Sequence, residues 1–199
     1  MKQTEQKYIN FRNSVMIIGL ALAAYILQMM ATLPFTANPM MLAFFSSAAG
    51  MLLGGTFYVL VMNKAPYRGT ILLYTFVPSI MILFMGTPYV VLVFVIGALF
   101  AELVFWSNST RTVPKLVLSY CLYAIFWGLG TYLPAFLQKD SLLQTVLDSG
   151  GGQELFDAYD KLYSLPYVSV AVLITIIASI VGVLIGTKIF KKHFERAGL

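Results

Sequence analysis

The stretch PYVSVAVLITIIASIVGVLIGTKIF, residues 166–190, decides the fold of this chain, because Lys188 is its only charged residue. A transmembrane helix needs about 20 consecutive, predominantly apolar residues. Five more apolar runs precede this one, and the six predicted spans are residues 14–33, 40–62, 70–85, 89–106, 114–137 and 166–190. The sequence therefore predicts an all-α, polytopic membrane protein in which residues 1–199 form one domain, a bundle of six transmembrane helices.

The overall composition supports a membrane protein. Of the 199 residues, 59% are hydrophobic and 11% are charged, whereas a soluble domain carries roughly a quarter charged residues. This excludes an ordinary cytosolic enzyme, a disordered chain and a nucleic-acid-binding module. The single cysteine, Cys121, and the single histidine, His193, exclude a disulfide framework and a metal cage rich in these residues. We therefore expect neither a metal ion nor a cofactor.

Basic residues are divided unequally between the two ends of the predicted bundle. Lys139 and Lys161 lie in the long loop that precedes the last span. The other basic residues all fall at the opposite end: Lys2, Lys7, Arg12, Lys64, Arg68, Arg111, Lys115, Lys188, Lys191, Lys192 and Arg196. Because cytoplasmic loops are enriched in Lys and Arg, we expect a protein of the cell membrane with both termini in the cytoplasm.

Pairs of small residues four positions apart recur in the predicted spans. Such pairs allow helix backbones to approach closely in lipid. They favour either internal packing of the bundle or the docking of another membrane subunit, and the sequence leaves both open. The pairs are Gly19 with Ala23, Gly50 with Gly54, Gly97 with Ala101, and Gly182 with Gly186.

Glu102 is the only acidic residue inside a predicted span. A charged group at membrane depth is a functional candidate. Its place near the cytoplasmic end of the fourth span favours a structural or subunit-contact role. A proton relay would require a second acid or a histidine deeper in the bundle, and the sequence has none there. The candidate docking residues are therefore Gly19, Ala23, Gly97, Ala101 and Glu102.

The long outer loop, residues 139–165, has an amphipathic pattern. Ser141-x-x-Gln144 is a capping box that favours the start of a short helix. Gly150, Gly151 and Gly152 then break the chain, and a second helical pattern follows. Two short helices here would form either a lid over the bundle or a pair lying on the membrane lipid.

Polar and aromatic residues cluster towards the outer ends of the spans. An aromatic belt at the membrane interface uses such residues, and so does a pocket for a flat or amphiphilic solute. Gln28 and a possible lid favour the pocket. The candidate substrate-binding residues are Gln28, Phe35, Asn38, Tyr89, Trp127, Tyr132, Phe136, Tyr159 and Tyr163.

The sequence lacks the residue patterns of several catalytic and energy-coupling sites. The spans contain no pair of acids for general acid–base chemistry, and His193 lies in the tail, away from any serine nucleophile. No Gly-x-x-x-x-Gly-Lys-Ser/Thr loop is present for binding ATP. We therefore expect a protein that is not an enzyme, and any transport would draw its energy from a partner or a gradient.

Several segments of the sequence resemble one known family. They are the terminal stretch GVLIGTKIFKKHFERAG at residues 182–198, the stretch 120–140 with Phe126, Gly128 and Pro134, and the Gly-Gly-Gln-Glu segment at 151–154. The turn Gly97-x-x-x-Ala101-Glu102-Leu103 is similar to a small-residue-plus-acid signature of the same family. With these residues the chain resembles the Trep_Strep family of bacterial membrane proteins over nearly its whole length.

That family resembles the substrate-binding S components of energy-coupling factor (ECF) transporters, which are ABC-type importers. The resemblance implies a six-helix S subunit that captures a vitamin-like or tetrapyrrole solute, haem included, outside the cell. The implied partners are a membrane T component and two ATPase subunits. In many S components a small-residue face of the first helix contacts the T component, and Gly19 and Ala23 match that face.

Two other functions remain open from the residues alone. Glu102 and the mid-span Pro78 are compatible with a stand-alone carrier or small channel. The surplus of small-residue faces is compatible with a membrane assembly factor that binds no solute.

Overall fold

The computed structural model describes residues 9–84, 87–106, 110–148 and 153–195, and within them the chain forms helices and no strand. A 3-10 turn, Leu33–Phe35, follows the first helix, and a π-helical segment, Phe190–Glu195, follows the last. The α-helices are α1 (Phe11–Thr32), α2 (Pro39–Lys64), α3 (Thr70–Phe84), α4 (Pro88–Leu103), α5 (Val113–Leu137), α6 (Lys139–Asp148), α7 (Gln153–Leu162) and α8 (Leu165–Ile189).

Each of the six predicted apolar runs forms a helix, but the helices differ in length. α3 and α4 contain 15 and 16 residues. At about 1.5 Å per residue they are shorter than the roughly 30 Å hydrocarbon core of a bilayer. The bundle thus combines four long helices with a pair of shorter apolar ones. The four segments long and apolar enough to cross a membrane are Phe11–Phe35, Met40–Lys64, Val113–Pro134 and Leu165–His193.

The start of α3 and the end of α4 lie side by side. The backbone N–H of Ile71 donates to Oε1 of Glu102 at 2.6 Å, and Nη2 of Arg68 donates to the carbonyl oxygen of Trp106 at 3.3 Å. The chain therefore enters and leaves the α3–α4 pair at one end of the bundle. Arg111, whose guanidinium lies 3.9 Å from the Phe105 ring centroid, is at this same end. We call this the basic end.

Two residues set the local course of α3. Gly69 has φ +84°, a left-handed conformation that glycine adopts without steric cost, and it turns the chain into the helix. Pro78 lies buried inside α3. Because proline has no N–H, the carbonyl of Tyr74 lacks its helical donor.

The backbones of α2 and α8 are in direct contact through glycines. A Cβ added at Gly182 would lie 2.5 Å from the carbonyl oxygen of Leu52, and one at Gly55 would lie 2.5 Å from the carbonyl carbon of Gly182. A Cβ at Gly186 would lie 2.7 Å from Cα of Thr56. Gly182 and Gly186 therefore serve internal packing, as small-residue pairs do in lipid.

The described part of the outer loop consists of α6 and α7. Nζ of Lys139 lies 2.6 Å from Oδ1 of Asp160, which joins the two helices, although both side chains are substantially exposed. Exposed ion pairs contribute at most about 1 kcal/mol. α7 contacts α2 and α8, and α6 contacts α5. The glycines predicted to break the chain, Gly150 to Gly152, lie outside the described residues.

Gly182→Ala tests the contact between α2 and α8. The added methyl group meets backbone that has no room to move, so we expect a loss of about 1–3 kcal/mol of stability. The thermal unfolding midpoint of the detergent-purified chain should fall by several degrees. Gly19→Ala is the matched control, because a Cβ there meets no atom within 4 Å. Equal midpoints for the two variants would contradict the contact.

Glu102→Ala tests the anchor between α3 and α4. The substitution leaves the buried N–H of Ile71 without its acceptor, at a cost of about 1–3 kcal/mol. Glu102→Gln keeps an oxygen in place and should lose less. The thermal midpoints of the two variants measure the difference, and an alanine variant as stable as the glutamine variant would count against the anchor.

Candidate functional site

A cavity of about 320 Å³ lies between the helices at the end of the bundle opposite the basic end. The C-terminal ends of α1, α3 and α5 and the N-terminal ends of α2 and α4 surround it. Small-molecule pockets span about 300–1,000 Å³, so the cavity has room for a small solute. Its lining residues are Tyr25, Gln28, Met29, Thr32, Ser46, Ser47, Gly50, Ile82, Thr87, Val90, Phe94, Trp127, Gly130, Thr131 and Pro134.

Gln28 carries the one amide side chain among the described lining residues, and it is 7% exposed. Glycines of α2 make room for it. A Cβ at Gly50 would lie 3.5 Å from Cβ of Gln28, and a Cβ at Gly54 would overlap the Gln28 amide. No hydrogen bond joins the Gln28 amide to another residue that the structure describes. The Gly50 and Gly54 pair therefore holds a polar side chain against the cavity.

Two stacked aromatic residues line the cavity. The rings of Trp127 and Phe94 stack with centroids 4.6 Å apart and planes 11° from parallel. Gly130, one turn after Trp127, leaves space for this pair, because a Cβ there would lie 2.6 Å from Cε1 of Phe94. The packing fixes the orientation of the indole.

Buried tyrosines fill the interior between the cavity and the basic end. The Tyr123 centroid lies 6.1 Å from Trp127 and 6.1 Å from Tyr120, and the Tyr120 ring lies 4.6 Å from Tyr58. Tyr120 donates to the carbonyl oxygen of Met51 at 3.0 Å. We call Tyr58, Tyr74, Tyr120 and Tyr123 the tyrosine cluster, and none of the four is among the described residues that line the cavity.

A chain of hydrogen bonds ties the tyrosine cluster to α4. Oη of Tyr58 and Oγ of Ser119 are 2.5 Å apart, and Oγ of Ser119 donates to the carbonyl oxygen of Ala101 at 2.9 Å. Because the serine hydrogen is already used, Tyr58 is the donor in the first bond. The tyrosine cluster is thus fixed to the helix that carries Glu102.

Arg111 lies at the basic end, where Glu102 is a nearby acidic residue. Burial lowers the pKa of Arg111, and the nearby Glu102 carboxylate raises it. Its Nε and Nη1 atoms are buried without a hydrogen-bond partner among the described residues. Glu102 and Arg111 thus lie at the basic end, and neither is among the residues that line the cavity.

The structure places two predicted binding residues, Gln28 and Trp127, in the cavity lining. Tyr132 lies on a different face of α5, where its hydroxyl donates to the carbonyl oxygen of Ala43. Five residues along a helix correspond to a rotation of about 140°, so Trp127 and Tyr132 cannot share one side.

The other predicted binding residues also lie away from the lining. Phe35 packs on Phe45, with ring centroids 6.1 Å apart, and Asn38 caps α2 by accepting from two backbone N–H groups. Tyr89 lies in the first turn of α4, where its hydroxyl is buried without a hydrogen-bond partner among the described residues. Phe136 is 44% exposed. The remaining two, Tyr159 and Tyr163, contact each other at α7.

Sequence reasoning missed several lining residues. Tyr25 precedes Gln28 by three positions, so the two share a helix face. Ser46 and Ser47 lie one turn before Gly50 on the same helix. A helical-wheel projection of α1 around Gln28 and of α2 around Gly50 would have identified these three residues from the sequence.

The predicted docking residues divide into two groups. Gly19 and Ala23 are exposed on α1. They lie on the side of the helix away from Gln28, because at about 100° per residue they are rotated from it by about 180° and 140°. Gly97, Ala101 and Glu102 are instead buried inside the bundle. A Cβ at Gly97 would overlap Phe126 of α5, so these three residues belong to internal packing rather than to an outer docking surface.

Comparison with known proteins identifies a family and nothing further. A family model described as hypothetical bacterial integral membrane protein (Trep_Strep) matches residues 13–196. No curated protein and no solved structure matches the chain. The matched range includes both the cavity and the exposed face of α1.

Thiol labelling tests whether the cavity is open. Ser47 and Ser79 are each 6% exposed, but Ser47 lines the cavity whereas Oγ of Ser79 is enclosed by packing. In a Cys121→Ala background, we expect N-ethylmaleimide to label Ser47→Cys several-fold faster than Ser79→Cys in detergent, as measured by mass spectrometry. Equal rates would show that the cavity is closed to a small neutral reagent.

Proposed function

We propose that this chain, which belongs to the Trep_Strep family of bacterial integral membrane proteins, is the solute-binding subunit of a multi-subunit importer. The observation that carries the proposal is the cavity with Gln28 and Trp127 at the end of the bundle opposite the basic end. A cavity confined to one end of the bundle suits capture of a solute rather than its free passage. The sequence resemblance to ECF S components supports the same role.

The proposed direction of capture follows from charge. Arg68 and Arg111 lie at the basic end, and the cavity is at the other end. Because positive loops favour the cytoplasm, the basic end faces inward and the cavity opens outside the cell. This holds whether or not α3 and α4 cross the full bilayer, because the chain enters and leaves that pair at one end.

Partner subunits supply the energy in this proposal. The sequence has no phosphate-binding loop, which is compatible with ATP hydrolysis by two separate ATPase subunits. Gly19 and Ala23 are exposed on α1. Small residues there would allow a helix of a membrane T component to pack closely against the α1 backbone. Ligand and partner would then contact opposite sides of one helix.

The carrier hypothesis has less support than the receptor. It rested on Glu102 and the mid-span Pro78, and the Glu102 carboxylate accepts a 2.6 Å hydrogen bond from the start of α3. The cavity in turn favours solute binding over a purely structural assembly factor.

Ala23→Leu tests the docking face. The larger side chain prevents close backbone approach, so we expect the affinity-tagged variant, purified from the host, to recover about tenfold less T component and ATPase than wild type, which corresponds to about 1.4 kcal/mol. Quantitative mass spectrometry of the eluates measures this. Val181→Leu is the control, because Val181 is 41% exposed on another helix, α8.

Two results would contradict this proposal. Wild type purified without any ATPase would remove the importer role. Equal loss in the Ala23 and Val181 variants would show that the effect comes from added bulk in general rather than from the α1 face.

A further inference from the structure

We infer that the cavity takes a neutral, planar solute whose edge both donates and accepts hydrogen bonds, such as a carboxamide or a lactam ring, and that Gln28 contacts this edge. The inference rests on the proposed function, because it names the class of solute that the receptor would bind. Three properties of the lining carry it: charge, unpaired polar groups and shape.

The first property is the absence of charge. None of the described residues that line the cavity is acidic, basic or a histidine. The charged residues nearest in sequence to the end of α5, Lys139 and Asp140, lie in α6, where Lys139 is paired with Asp160. An ionised group transferred from water into such surroundings loses its hydration without gaining a counter-charge. A charged solute would therefore bind poorly.

The second property is a pair of buried polar side chains that face the cavity without partners. Gln28 and Ser47 are 7% and 6% exposed, and neither is hydrogen-bonded to another residue that the structure describes. By contrast, the hydroxyls of Thr32 and Thr131 already donate to carbonyls of their own helices at 2.7 and 2.8 Å. The hydroxyl of Tyr25, a lining residue that is 9% exposed, also forms no hydrogen bond with another residue that the structure describes. Buried polar groups normally find a partner, so Gln28, Ser47 and the Tyr25 hydroxyl are available to meet a solute.

The chemistry of a primary amide defines the complementary edge. The Gln28 side chain offers both N–H donors and a carbonyl acceptor. An amide or lactam satisfies both at once, whereas a carboxylate can only accept and an amidinium can only donate. The buried hydroxyls of Tyr74 and Ser79 also lack partners, but they are absent from the cavity lining and so do not bear on the solute.

The third property is the stacked aromatic pair in the lining, Trp127 and Phe94. Their stacking at 4.6 Å and 11° holds the indole rigid, and aromatic surfaces favour planar, offset-stacked partners. A planar ring that stacks on either aromatic side chain would lie in the same cavity as Gln28. Together with the volume of about 320 Å³, this favours a compact, vitamin-like molecule over a tetrapyrrole that carries carboxylate side arms.

Three isosteric probes that differ in charge test the inference: benzamide is neutral, benzoate is an anion and benzamidine is a cation. Trp106→Phe leaves Trp127 as the only tryptophan, so the fluorescence of the purified variant reports on the cavity. We expect a saturable change with benzamide at a concentration roughly tenfold or more below that for either charged probe. Gln28→Leu in the same background should raise the benzamide half-saturation by roughly five- to a hundredfold.

The outcomes are separable from those of the importer proposal. Ser47→Ala is a second, smaller change that should weaken benzamide binding in the same direction. Binding of benzoate or benzamidine as tightly as benzamide, or full benzamide binding by Gln28→Leu, would overturn the inference but leave the cavity a binding site. No saturable response to any of the three probes would also count against it, while the importer role is decided independently by recovery of the ATPases.

Discussion

Hydrocarbon offers no hydrogen-bond partner, and this constraint organises the polar groups of the bundle. A polar group at membrane depth is stabilised only by another group of the protein or by a cavity that admits water or a ligand. Oη of Tyr58 bonds to Ser119, Tyr120 bonds to a carbonyl of α2, and Glu102 accepts from the start of α3. Gln28 lies in the same bundle but faces the cavity. The Gln28 amide forms no hydrogen bond with another residue that the structure describes, and the proposed binding site depends on it.

Glycine makes both the close packing and the site possible. Gly55 and Gly182 bring α2 and α8 into backbone contact, while Gly50 and Gly54 on the adjoining face of α2 make room for Gln28. One helix thus packs on α8 through one glycine face and holds a polar side chain from α1 on another. A single small-residue motif in the sequence accordingly has two structural uses, and which use applies depends on the neighbouring helix.

The sequence predicted the helices well because a continuous apolar run is a strong signal. It also selected two residues that the structure places in the cavity lining, Gln28 and Trp127. Gln28 is the only Asn or Gln in the predicted spans, and Trp127 is one of two tryptophans. It did not place Tyr132, because a helix that is apolar on all sides has no amphipathic pattern to fix its rotation. It assigned Glu102 to a docking surface, because only the fold reveals that the carboxylate meets the N–H of Ile71 across α3 and α4.

The proposed receptor role requires a solute site between the helices. Native mass spectrometry of the wild-type protein, taken from its own membranes in detergent, tests this most directly. We expect the purified chain to carry one small, non-lipid molecule, which collisional activation releases as a neutral species. A chain that carries only lipid adducts would contradict it.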